Sequence, residues 1–98
     1  MKAVEALADL TLWPSDKSFC LPANGTPSML FRFGGREGVT LGARATDPFG
    51  VSFAPGTDHV GVQLEFWADE AKDLVVVGTA FDLWYAEDIG SGRITSVT

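Results

Sequence analysis

Cysteine and histidine are almost missing from this chain: Cys20 and His59 stand alone. One cysteine cannot close an internal disulfide, and one of each residue cannot assemble a cysteine- or histidine-based zinc site. No metal site and no cofactor is therefore expected. No apolar run approaches the roughly 20 residues that a membrane-spanning helix needs, so no membrane partner is expected either. Glu5 and Asp9 interrupt the apolar stretch near the start, and no cleavage pattern follows, so the opening does not read as a signal peptide. A soluble, reducing, cytoplasmic setting is the expectation.

The motifs of the commoner chemistries are missing as well. No Gly-x-x-x-x-Gly-Lys-Ser/Thr segment is present to cradle phosphates. Gly90-Ser91-Gly92 lacks the third glycine and the strand–helix setting of a dinucleotide site, and reads as a tight turn entering the last strand. Gly35-Arg36-Glu37-Gly38 lacks the flanking helices of an RNA-clamping loop. No serine stands in an elbow motif that would complete a relay with Asp58-His59, so His59 reads as a rim residue after the Pro55-Gly56 turn. Asp69, Glu70 and Asp73 lack the alternating acids, central glycine and closing glutamate of a calcium loop. Cys20 has no basic neighbour beyond Lys17 to activate its thiol. No catalytic residue is assigned, and the chain is not expected to be an enzyme.

Cations are scarce in one half only. Residues 1–49 carry five acids against five Lys and Arg, whereas residues 50–98 carry eight acids against Lys72 and Arg93. The whole net charge of −6 therefore belongs to the second half. Such a surface repels phosphate backbones and favours basic partners, and it also keeps a chain that is 46% hydrophobic in solution.

What the chain does have is punctuation. It holds 98 residues, the size of a single domain spanning 1–98, and 11 glycines and 5 prolines divide it into short alternating segments. Val4, Ala6, Ala8, Leu10 and Leu12 share one face if the first segment is a strand, although its Ala and Leu content would also suit a helix. Residues 14–27 read as a loop. Asn24-Gly25-Thr26 in it matches a glycosylation acceptor but is read as a turn, with Pro27 following. Strands are predicted near Ser28–Phe33, with Met29, Phe31 and Phe33 inward, and near Val39–Ala45, with Val39, Leu41, Ala43 and Ala45 inward. Gly34–Gly38 turns the chain between them. Asp47-Pro48-Phe49-Gly50 is a turn leading to a short Val51–Phe53 segment. Val60, Val62, Leu64 and Phe66 alternate most cleanly of all. After an acidic connection at Ala68–Asp73, Leu74–Val77 and Thr79–Tyr85 read as one strand or two pieces, with a bulge at Gly78. Glu87-Asp88 turns toward Gly90-Ser91-Gly92, and Arg93–Val97 forms the final strand. Short strands, regular turns and no helix of any length predict an all-β fold, a small closed barrel or sandwich; open edges would invite aggregation in so apolar a chain.

The second half also resembles a known family. Pro55-Gly56, the strand Val60–Phe66, then Gly78 and Phe81, then Ile89-Gly90-Ser91-Gly92-Arg93-Ile94 are similar in order and spacing to the C-terminal barrel domain of elongation factor Tu. The likeness covers roughly residues 28–97. It implies a closed six-stranded antiparallel β-barrel with no catalytic residues. In that family the domain packs on its neighbours, contacts the T-stem of aminoacyl-tRNA and meets the exchange factor. The likeness implies that Gly90 and Gly92 form a turn near the RNA. The arginines that follow the family's Phe are replaced by Leu83, Trp84, Tyr85, Ala86, Glu87 and Asp88, and Gly34-Gly35-Arg36 stands too late to match the family's Glu-Gly-Gly-Arg loop. Acids stand where phosphates would lie, which argues against nucleic acid as a partner.

The candidate interaction face is therefore aromatic and acidic: Glu65, Trp67, Trp84, Tyr85, Glu87 and Asp88. Trp67 falls on the outward set of its strand, and Trp84 and Tyr85, being adjacent, point opposite ways, so at least one is exposed. Exposed aromatics beside carboxylates suit a basic or apolar protein partner, a second copy of the chain included. The expected function is a stand-alone, non-catalytic interaction module. The alternatives are a small-ligand binder or enzyme using the barrel mouth around His59, and a tRNA-binding translation accessory protein.

Overall fold

The structure is a computed structural model and describes residues 3–27, 29–34 and 38–98. Ser28, the expected first residue of the second strand, and the middle of the Gly34–Gly38 turn lie outside the described residues. Six strands form in chain order: β1 (Val4–Leu12), β2 (Leu30–Phe33), β3 (Val39–Thr46), β4 (Asp58–Phe66), β5 (Ala80–Trp84) and β6 (Asp88–Val97). They close into an antiparallel barrel in the order β1-β4-β3-β2-β5-β6, with β6 returning to β1. The fold is all-β, as the alternation predicts. β1 is a strand and not a helix, because Ala6, Ala8, Leu10 and Leu12 are all buried at a period of two.

A barrel this narrow is filled by its own side chains. Phe31 and Phe33 of β2 reach across to Phe66 of β4 and lean on Phe81 of β5, with ring centroids 5.3–5.9 Å apart. The inclined contacts suit the ring quadrupoles, and each adds about 0.5–1.5 kcal/mol beyond the area it buries. These rings join β2 and β4, which share no hydrogen-bonded ladder.

Four details differ from the sequence reading, each for a local reason. Val60 is 63% exposed and His59 is buried. Asp9 of β1 faces both Val60 and Gly61, a bulge marked by the jump in register from Ala8↔Val62 to Leu10↔His59. Gly61 takes the left-handed conformation there (φ 69°), which a side chain would resist, and the extra residue reverses the alternation upstream of it. Val39 is 41% exposed because it lies at the open start of β3.

Leu74–Val77 is not a strand. Ala71–Leu74 forms one helical turn, α1, whose buried Ala71 and Val75 stand four residues apart, and Gly78 lies in the turn that follows rather than in a bulge. A single turn is too short to be stable alone; the burial of that pair against the barrel core holds it.

Gly90 and Gly92 do not form a turn. They lie inside β6, paired with Leu12 and Leu10 of β1. A Cβ on Gly92 would stand 2.6 Å from the Asp9 carbonyl oxygen and 2.6 Å from Phe81 Cζ, and one on Gly90 would strike the Thr11 carbonyl oxygen. These glycines let two strands and a phenyl ring approach where no side chain fits.

Candidate functional site

The β5–β6 hairpin carries four of the six residues of the expected face. Its tip is Tyr85-Ala86-Glu87, closed by the Tyr85 N–H donating to the Glu87 carbonyl at 2.9 Å. Ala86 sits at φ 63°, the only non-glycine with a positive φ among the described residues. Trp84 and Tyr85 are each 37% exposed. The Tyr85 ring packs on Phe19 of the 13–27 loop, with centroids 5.7 Å apart. The hairpin acids are not free: Lys17 Nζ lies 2.9 Å from Glu87, and Arg32 lies 2.6 Å from Asp88 and 3.6 Å from Asp82. These exposed pairs are worth about 0–1 kcal/mol each. Their main effect is orientation, since they fix both flanks of the hairpin to the loop and to β2.

Glu65 and Trp67 are elsewhere. β4 and β5 stand opposite each other in the six-strand ring, and Trp67 follows the end of β4 that lies away from the β5–β6 tip. Glu65 is flanked across the strands by Glu5 of β1 and Arg44 of β3. The Arg44 guanidinium lies 5.5 Å from the centre of the half-exposed Trp67 ring. The expected single face is thus two places, each with its own aromatic and its own cation. Periodicity shows which residues point outward but not which strands become neighbours.

His59 is not on the rim. It is 2% exposed, and its ring lies 4.5 Å from that of Phe53. Nδ1 meets Asp47 Oδ2 at 2.5 Å, and Nε2 meets Thr57 Oγ1 at 2.8 Å. The Thr57 hydroxyl donates to the Ala54 carbonyl at 2.7 Å. Asp58 is exposed, because residues adjacent in a strand face opposite sides. The partner the sequence reading missed is Asp47, whose other oxygen accepts the Phe49 N–H at 2.7 Å. The Asp47-Pro48-Phe49-Gly50 turn was the available signal, since such an aspartate often caps its own turn. Burial pushes the Asp47 carboxyl upward; the hydrogen bond from His59, the Phe49 N–H, the field of His59 and the Val51 N–H outweigh it, holding Asp47 below the usual carboxylate range. Carboxylate, imidazole and hydroxyl stand in relay order, but both ring nitrogens are occupied by protein and the hydroxyl proton goes to a carbonyl. The arrangement fastens the 47–57 segment to the start of β4.

The remaining candidates stay apart. Asp69, Glu70 and Asp73 are exposed around α1, and Cys20 is a free, exposed thiol. Among the described residues no group of three or more His, Cys, Asp or Glu is placed to hold a metal ion, and no helix is long and apolar enough to cross a membrane.

Comparison with known proteins finds no matching family model, no matching curated protein and no matching solved structure.

Proposed function

We propose that this chain is a non-catalytic β-barrel, of the kind found at the C-terminus of elongation factor Tu, that works in the cytoplasm as a protein-interaction module through its β5–β6 hairpin. The observation that carries this reading is the pinned aromatic tip: Trp84 and Tyr85 exposed, Phe19 beneath, and an ion pair on each flank. Aromatic side chains held in place before binding lose little freedom on contact, and such residues carry a large share of binding energy at protein interfaces. Because Glu87 and Asp88 already hold Lys17 and Arg32, the first contact is apolar. A basic partner side chain gains a carboxylate only by displacing one of those internal cations. The same pairing argues against nucleic acid, since two of the cations nearest the hairpin are neutralised by Glu87, Asp82 and Asp88.

The test compares affinity capture on the immobilised chain with capture on the Trp84→Ala/Tyr85→Ala double variant. A partner bound through the hairpin is retained by the wild type and lost by the double variant, while the Trp67→Ala variant retains it. Equal capture by wild type and the double variant would remove the hairpin from the proposal.

A further inference from the structure

A depression of about 550 Å³ lies on the outer wall, where β1, β6, β5 and β2 run side by side. Gly34, Ala80 and Gly92 line it, and the short side chain of Ala80, outward on β5 beside Arg93, leaves it open. Arg93 of β6 stands at its centre, with Asp9 across one ladder and Ala80 across the other. Thr11, Ser91 and Asp82 form the next row of outward residues on the same three strands.

The bonding in this hollow is incomplete in a specific way. Asp9 and Arg93 are cross-strand neighbours of opposite charge, yet they do not pair. Asp9 is drawn toward β4, where the bulge at Gly61 donates its N–H to Asp9 Oδ1 at 3.1 Å. Asp82 leans toward Arg32, 3.6 Å away. The Arg93 side chain is left with no hydrogen bond or ion pair among the described residues. A guanidinium brings five N–H donors and no acceptor, so its capacity faces the hollow unused. The second oxygen of Asp9 likewise has no partner among the described residues.

The charges decide the ligand. Among the described residues two arginines and two aspartates line the hollow, and their charges balance. A bare anion on Arg93 would face Asp9 and Asp82, and a bare cation on Asp9 would face Arg93. A molecule with both charges on one short scaffold meets neither objection. We propose that the groove binds a small zwitterion of the free α-amino acid class, its carboxylate on the Arg93 guanidinium and its ammonium on the neighbouring Asp9. The volume falls in the range of small-molecule sites, roughly 300–1,000 Å³. Bidentate contact with a carboxylate is the geometry a guanidinium favours. The site is distinct from the Trp84–Tyr85 tip and does not depend on it.

The experiment is a titration of the whole chain with L-alanine, followed through the backbone amide signals of Ser91, Gly92 and Arg93. Acetate and methylammonium serve as half-ligands. Saturable shifts with L-alanine are expected, with each half-ligand at least about tenfold weaker. Arg93→Gln removes the carboxylate contact and weakens binding at least about tenfold. Ala80→Leu fills the hollow while leaving every charge in place, and weakens it likewise. Both positions are exposed, so amide signals from the barrel core stay unmoved in the variants. The absence of saturable shifts overturns the proposal. So does acetate binding as tightly as L-alanine, which would make this a plain anion site, and so does unchanged binding in either variant.

Discussion

Asp47 shows what one buried carboxylate can set. Its two oxygens take the imidazole of His59 and the N–H of Phe49, so one side chain closes a turn and fastens that turn to β4. With its native pKa below the ordinary value, the folded state binds fewer protons there than the unfolded state does. Stability from this group is therefore complete above the unfolded carboxylate value of about 3.9, and is lost as pH falls through the lower native value. Urea midpoints measured from pH 5 downward should show this acid loss in the wild type. Asp47→Asn should show a shallower slope over the same window and be less stable by about 1–3 kcal/mol at neutral pH, since His59 loses its charged acceptor. An equal slope in both proteins would place the acid sensitivity elsewhere.

At the level of elements, β6 depends on two small residues. Gly90 approaches β1 backbone atoms, which cannot move aside, whereas Gly92 meets the Asp9 carbonyl and the edge of the Phe81 ring, part of which can turn. Gly90→Ala is thus expected to cost more than Gly92→Ala, with both in the range of about 1–3 kcal/mol typical of overpacking. Ser91→Ala between them should stay within about 0.5 kcal/mol. Thermal unfolding of the three variants gives the ranking directly, and equal costs for Gly90 and Ser91 would contradict the close approach. The strands themselves were readable because one face of each is buried and the pleat repeats every two residues. β4 was readable only from Val62 onward, since the bulge at Gly61 shifts the pattern before it without altering composition. α1 was hidden because one helical turn shows just a single i, i+4 pair, Ala71 and Val75, set in a run that also alternates.

The molecule as a whole is decided by pairings that sequence periodicity does not contain. The closed six-strand barrel follows from many short amphipathic strands that need their edges covered. Which wall faces which does not follow, and this is why Glu65 and Trp67 separate from Trp84, Tyr85, Glu87 and Asp88. The Asp47–His59 pair was illegible for the same reason, as a contact between a turn and a strand twelve residues apart. Such non-local pairing also sets the pace of folding. All-β domains of this kind refold in milliseconds to seconds, because loop closure is costly before distant contacts form. Stopped-flow Trp fluorescence should place refolding in that range, and microsecond refolding would mean that the ladder partners meet earlier than the topology allows.

β1 pairs with β4 on one side and β6 on the other, and never with β2 or β3. During synthesis it therefore waits beside a growing chain with both of its ladders unfilled, and the ring shuts only when β6 arrives. A ribosome that stalls between β5 and β6 would leave two sticky strand edges, on β1 and β5, and a half-covered set of phenylalanines. Interrupted translation is thus the state in which this otherwise edge-free protein is most exposed to aggregation.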